Sequence, residues 1–141
     1  MKQSIICRQG IKVYVHGVFD LLHYGHIRFL EKAKDLGNIL IVGLVTDENA
    51  EKIKGKTILD YNERFEVISA IKCIDLVIKQ YTEDPTENLR LLGIDILCRA
   101  DDYRGSPPGT DFIEANGGKV VRIPYTEGIS TSEIKRRINN A

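Results

Sequence analysis

Five short apolar runs that lack in–out alternation, separated by five stretches of helical periodicity, predict an α/β domain with a five-stranded, mainly parallel sheet. Strands apolar on both sides need cover on both sides, so the helices are expected on both faces, joined by right-handed crossovers in a doubly wound, Rossmann-like arrangement. The length of 141 residues, 43% of them hydrophobic, suits a single domain with one core. Residues 1–10 show no periodicity and read as an N-terminal leader, which leaves 11–141 as the domain. No internal repeat, low-complexity tract or interdomain linker interrupts it.

The elements follow in order. Ile11 to Val15 is rich in β-branched residues and predicts the first strand, followed by a tight loop. From Gly25, the apolar stripe Ile27, Leu30, Ala33 and Leu36 predicts a helix that Gly37 closes. Ile39 to Val45 is a buried strand. Asp60 with Glu63 forms a capping-box pattern, and Phe65, Ile68 and Ile71 extend it into a helix over about 61–72. Ile74 to Ile78 returns as a strand. Asp84-Pro85 pairs an N-cap with a first-turn proline, opening a helix that ends at Gly93 before the strand Ile94 to Cys98. After a polar loop, residues 100–110, a helix from Thr110 or Asp111 runs to Gly117 and Gly118. Lys119 to Ile123 is the last strand, and Ser130 with Glu133 caps a final helix through Ile134 and Ile138.

Composition excludes several function classes. Twenty basic and twenty acidic side chains cancel to zero net charge, which gives no global attraction to nucleic acid or an anionic membrane. The longest apolar stretch, Ile39 to Val45, is far too short to span a bilayer. Cys7, Cys73 and Cys98 are odd in number and have no metal-ligand spacing, and the N-terminus lacks a signal-peptide layout. A reducing cytoplasm is the expected location.

Function concentrates in HGVFDLLHYGH, residues 16–26, where the first strand hands over to the first helix. In a doubly wound sheet this carboxyl end is where ligands sit. Gly17 allows close backbone approach, and the following helix N-terminus offers free N–H groups and partial positive charge, a natural phosphate site. His23 and His26 add two donors that can stabilise a phosphoryl group in transfer. The alternative for this pair is helix capping and space filling. Zinc binding is disfavoured, because no third ligand stands at a matching spacing.

GVFDLLHYGH resembles the G-x-F-D-x-x-H-x-G-H signature of the cytidylyltransferase-like nucleotidyltransferases. Residues 53–78, with a lysine before glycine, an E-R pair and an aspartate before the third strand, are similar to that family's middle segment. TEGISTSEI, residues 126–134, resembles its closing motif, so the likeness covers about 11–138. Within the family the pattern is nearest to glycerol-3-phosphate cytidylyltransferases, and TEGISTS leans that way. Residues 81–93 and ANGGKV, 115–120, lean towards the ADP-heptose adenylyltransferases.

The resemblance implies transfer of CMP from CTP to a small phosphorylated acceptor, a glycerol-3-phosphate-like polyol or an amino alcohol phosphate, with release of pyrophosphate. The alternatives are an adenylyltransferase acting on a sugar phosphate, or a nucleotide-binding module without turnover. It also implies a homodimer, and Mg²⁺ carried mostly by phosphate oxygens rather than by a protein metal site. His23, His26 and Lys54 would be catalytic. Arg64 joins them as a residue orienting this segment or the acceptor, the alternative being a surface charge paired with Asp60; for Lys54 the alternative is a solvated charge. Nucleotide binding falls to Gly17, Val18, Phe19, Asp101, Asp102, Gly128, Ser130, Thr131 and Ser132, the last three at a helix start that can be capped and still bind an anion. One departure stands out: the family's arginine before T-E-G is Tyr125 here, with Arg122 three residues earlier on a strand offset that faces the other side. His16 reads as packing or pocket lining, and residues 104–109 as a flexible loop suited to acceptor contact.

Overall fold

The computed structural model describes residues 9–101 and 103–141, so the expected leader lies outside the described residues apart from Gln9 and Gly10, as do Cys7 and Asp102. Five strands, β1 (Lys12–Gly17), β2 (Ile39–Val45), β3 (Leu76–Gln80), β4 (Ile96–Ala100) and β5 (Lys119–Ile123), form one sheet in the order β3-β2-β1-β4-β5. All four pairings are parallel. Among the described residues six helices accompany them: α1 (Tyr24–Lys34), α2 (Asp47–Lys54), α3 (Tyr61–Ser69), α4 (Thr86–Leu92), α5 (Thr110–Ala115) and α6 (Thr131–Asn139). This is the doubly wound arrangement that the apolar runs predict.

Two apolar layers flank the sheet. Val13, Val15, Leu40 and Val42 pack with Leu30 and Ala33 of α1 and Ile68 of α3. Tyr14, Ile39, Ile41 and Leu97 pack on the other face with Leu89 and Leu92 of α4 and Ile113 of α5. Alternate residues of one strand therefore serve opposite layers, and a substitution at Tyr14 is felt by α4 and not by α1.

Several boundaries differ from expectation. β1 continues two residues past Val15, so His16 and Gly17 are paired strand residues, opposite Gly43 and Leu44. β3 and β4 begin two residues late. In each case an aspartate takes over the strand start: Asp75 Oδ2 accepts from the Leu40 amide at 2.8 Å and Asp95 Oδ2 from the Lys12 amide at 2.9 Å, side-chain bonds in place of ladder bonds. Gly37 does not form the left-handed cap of α1, whose C-cap is Asp35 in right-handed helical geometry. Glycine is needed there for close approach, since a Cβ would lie 2.7 Å from the Ile11 carbonyl oxygen.

α2 was not expected from periodicity, because Ala50 is its only buried residue. Its signal is electrostatic: Asp47 and Glu48 in the first turn, Lys52 and Lys54 in the last, matching the helix dipole at both ends. The α3 capping box forms in both directions, with Glu63 N to Asp60 Oδ1 at 2.9 Å and Asp60 N to Glu63 Oε1 at 3.0 Å. At α6 only half of it forms. Ser130 Oγ accepts from Glu133 N at 3.0 Å, but Glu133 turns its carboxylate to Arg136 and Arg137, and these guanidinium groups hold its pKa down to about 2.

Candidate active site

The carboxyl ends of β1 and β4 open into a cavity of about 580 Å³, and the β1–α1 turn forms its floor. That turn is strained: Phe19 and Leu21, neither of them glycine, adopt φ of 51° and 49°. Left-handed backbone at two bulky residues costs of order 1–3 kcal/mol each and persists only where the surroundings fix it. The motif aspartate supplies part of that fixing. Asp20 is buried, and its carboxylate accepts from the amides of Ile58 at 2.8 Å and Leu59 at 3.1 Å, tying the turn to the loop before α3. The Thr131 hydroxyl donates to the Asp20 carbonyl at 2.8 Å, which ties the same turn to α6.

The three-residue spacing of the histidines has a geometric answer. The His23 Nδ1 accepts from the Gly25 amide at 3.1 Å, and the His26 Nδ1 accepts from the His23 amide at 3.2 Å. The two imidazoles cap α1 reciprocally and stack with centroids 3.9 Å apart. Because both Nδ1 atoms accept, a neutral ring carries its proton on Nε2, and each ring is left with a spare donor. Capping and ligand binding are therefore one arrangement in which Nδ1 fixes the ring and Nε2 is free for chemistry.

Burial lowers the pKa of His26 to about 3, helped by the neighbouring His23 and by the charge of Lys54; burial also lowers that of His23. His16, on the same strand end, is likewise brought to about 3 by burial, with Arg99 adding to it and Asp84 opposing. For a histidine whose folded pKa lies below its unfolded value near 6.5, the unfolded chain binds more protons between the two values. Stability is then full above about pH 6.5 and is lost as pH falls towards 3. His16 and His26 each contribute a slope approaching about 1.4 kcal/mol per pH unit. The urea midpoint of the ligand-free protein is expected to fall steadily from pH 7 to pH 5, and a flat midpoint over that interval would contradict these burials.

Of the residues singled out from sequence, His23, His26, Lys54, Gly17, Val18, Phe19, Ser130, Thr131 and Ser132 all line this cavity. Lys54 arrives as the last residue of α2. Two of the three hydroxyls at α6 are engaged within the chain, Ser130 as N-cap and Thr131 on Asp20.

Three residues stand outside the cavity lining. Arg64 is fully buried: Nη1 donates to the carbonyls of Val18 at 2.7 Å and Val45 at 3.0 Å, Nε to Leu59 at 3.1 Å, and Nη2 meets Asp47 Oδ1 at 2.7 Å. It braces the turn from behind, and its place in the catalytic set is corrected to a positioning role; its carboxylate partner is Asp47 rather than Asp60. Asp101 accepts from the Tyr125 amide at 3.2 Å, which orders the β5–α6 connection. Gly128 supplies a left-handed turn, φ 84°, ahead of buried Ile129. Asp102 lies outside the described residues.

Arg99 and Glu83, not singled out from the sequence, also line the cavity, as does Arg104 at the start of the loop read as suited to acceptor contact. Arg99 had a signal, as an arginine at the carboxyl end of an otherwise apolar strand. Arg122 is not the replacement for the missing family arginine. Its guanidinium donates to the carbonyls of Tyr103, at 2.6 Å, and Gly105, so it shapes the loop that presents Arg104. Among the described residues, no three histidine, cysteine, aspartate or glutamate side chains cluster to hold a metal, and no helix is long and apolar enough to cross a membrane.

Comparison with known proteins agrees with this geometry. Residues 14–137 match the Cytidylyltransferase-like family. "Bifunctional protein HldE" of Citrifermentans bemidjiense is 40% identical over 89% of this chain and 26% of its own length. The HldE of Magnetococcus marinus is 37% identical over 93% of this chain and 28% of its own. The chain thus spans about a quarter of the length of these relatives. A crystal structure titled as the lipopolysaccharide core biosynthesis protein from Thermoplasma volcanium superposes with a TM-score of 0.76 at 31% identity, covering 84% of this chain and all of that one. These relatives overturn the expectation of CMP transfer from CTP to a glycerol-3-phosphate-like acceptor, because HldE stands on the ADP-heptose side of the family. With almost its whole length matched and its paired histidines set over the helix start, the chain belongs to the cytidylyltransferase-like family of nucleotidyltransferases.

Proposed function

We propose that the chain is an adenylyltransferase that joins the AMP portion of ATP to a phosphorylated sugar of the heptose class and releases pyrophosphate. The observation that carries the transfer chemistry is the pair of neutral, reciprocally capped imidazoles with both Nε2 donors spare, beside the N-termini of α1 and α6. The choice of ATP and of a sugar phosphate rests on the HldE relatives.

In this reading a phosphate oxygen of the sugar attacks the α-phosphorus, a new P–O bond forms, and the bond to the β-phosphate breaks. A phosphate monoester has a second pKa near 6 and attacks as the dianion, so no side chain has to remove a proton. The protein's task is alignment and charge. His23 and His26 donate to the phosphoryl oxygens as charge builds on them, and Lys54 neutralises the α-phosphate from the end of α2. The helix start at Ser130–Ser132 holds the departing phosphates. In this reading Mg²⁺ enters with the substrate, on the triphosphate oxygens; among the described residues no cluster of carboxylates stands by to hold a resident metal.

Pyrophosphate release with ATP, CTP, GTP and UTP in turn, each with Mg²⁺ and with heptose 1-phosphate, hexose 1-phosphates or glycerol-3-phosphate, tests the reading. Turnover is expected with ATP and a sugar phosphate. Turnover confined to another pair would replace the substrates, and tight nucleotide binding without any turnover would make the chain a binding module.

A further inference from the structure

Behind the phosphate-binding end of the cavity, a second histidine arrangement has no part in the chemistry just described. His16 is 8% exposed, lines the cavity, and its Nε2 is the buried side-chain polar atom without a hydrogen-bond partner among the described residues. The state of that atom can be worked out bond by bond. Gln80 Nε2 donates to the Thr82 carbonyl at 2.9 Å, which sets the orientation of the Gln80 amide. Its Oε1 accepts from the Tyr14 hydroxyl at 2.6 Å, and that hydroxyl in turn accepts from Asn88 Nδ2 at 3.0 Å. Gln80 Nε2 lies 2.9 Å from His16 Nδ1 and has only protons to offer, so Nδ1 accepts. The ring proton of neutral His16 is therefore on Nε2. The chain Asn88, Tyr14, Gln80, His16 ends in one unspent N–H donor.

The fold makes room for this chain. Gly43 lies in the middle of β2, and a Cβ there would lie 1.8 Å from the Tyr14 hydroxyl and 2.7 Å from Gln80 Oε1. A buried donor left without an acceptor is destabilising, so a relay that ends in one points to an acceptor arriving from outside.

We infer that His16 Nε2–H is a specificity-determining donor for a hydroxyl oxygen of the sugar phosphate; this rests on the adenylyltransferase reading. Two observations favour the sugar over the nucleotide. First, Tyr14 packs with α4, whereas Val13, Val15 and Phe19 pack with α1; His16 shares the side of Tyr14 by strand alternation and stacks on it, while His26 sits against Phe19. His16 thus reaches the cavity from the sheet face opposite to the His23–His26 pair. Second, its partner Gln80 comes from the end of β3, and Glu83 just beyond also lines the cavity, whereas the β4 and β5 ends supply the wall of Tyr103, Arg104, Tyr125 and Thr126. A triphosphate held at α1 and α6 leaves that second wall for its nucleoside and the His16 side for the attacking molecule. An uncharged donor suits a hydroxyl.

The test combines steady-state kinetics with ¹⁵N NMR of the imidazoles, using ATP with Mg²⁺ and heptose 1-phosphate as probes. His16→Phe keeps ring bulk and removes the donor. It is expected to raise KM for the sugar phosphate about tenfold, with KM for ATP unchanged, and His16→Gln, which places an amide N–H near the Nε2 position, recovers part of the loss. In the wild type, Nε2 is expected to carry the proton from pH 5 to 8, and its resonance shifts when the sugar phosphate is added and not with ATP alone. A proton found on Nδ1, a shift driven by ATP alone, or a His16→Phe change confined to ATP overturns the inference, whether or not the variant is stable. If wild-type protein turns over ATP with none of the sugar phosphates, the adenylyltransferase reading itself fails, and this result is distinct from the other three.

Discussion

Replacing His26 by alanine is expected to lower kcat about 10²–10³-fold, the effect of removing one preorganised donor from a site of developing phosphoryl charge. The substitution also removes the acceptor for the His23 amide, so α1 loses half of its reciprocal cap at a cost of about 1 kcal/mol. The two consequences can be separated. His26→Asn can still accept from the His23 amide but presents nothing at the Nε2 position, so its melting temperature should recover while its kcat does not. Single-turnover rates and thermal melts on the two variants give the comparison. A kcat for His26→Asn within about threefold of wild type would reduce the histidine to a cap, and the transfer chemistry would have to be sought at Lys54 and Arg104.

Arg64→Met should have the largest effect on stability. It leaves the carbonyls of Val18, Val45 and Leu59 without their donor in a fully buried position. The ion pair with Asp47 contributes little beside this, because the Asp47 side chain is half exposed. Orphaned buried carbonyls cost about 1–3 kcal/mol each before relaxation, and the total is expected to be roughly 3–5 kcal/mol, a large part of the stability of a domain this size. At this chain length that corresponds to a fall in melting temperature on the order of 10–20 °C. Arg64→Lys keeps the charge but has no planar fork to reach three carbonyls, so it should recover little. A normal melting temperature combined with lost turnover would return Arg64 to direct substrate contact.

The burial of Arg64 and the engagement of Arg122 show where sequence reading stops. Lys54 and Arg64 stand in one motif-like segment and read alike as candidate cations. In the fold, one ends α2 at the cavity edge and the other points into the protein behind the active-site turn. Nothing in their spacing separates them, because the difference lies in which carbonyl groups from β1 and β2 converge on the guanidinium. Arg122 is a similar case, an available charge that tertiary structure spends on the loop carbonyls of Tyr103 and Gly105.

The sequence by itself determined the number of strands and their succession along the chain, the parallel doubly wound class, the helix caps at Asp60, Gly93 and Ser130, and the position of the cavity. These depend on local rules: apolar runs, capping residues one helical turn apart, and a ligand site at the strand ends. It did not reveal α2, whose single buried alanine leaves no periodic stripe, nor the late starts of β3 and β4, where aspartates bond to neighbouring strands. Base and acceptor choice also escaped it, since those depend on loop and wall contacts that no short motif records. Only the tertiary structure decided what each histidine presents. His16, His23 and His26 all lie within one eleven-residue run. The tautomer of His16 is set by Gln80, which is 64 residues away in sequence and two strands away in the sheet, beyond β2. A proton's position follows from the hydrogen-bond partners of the ring, and for His16 that partner comes from a distant strand.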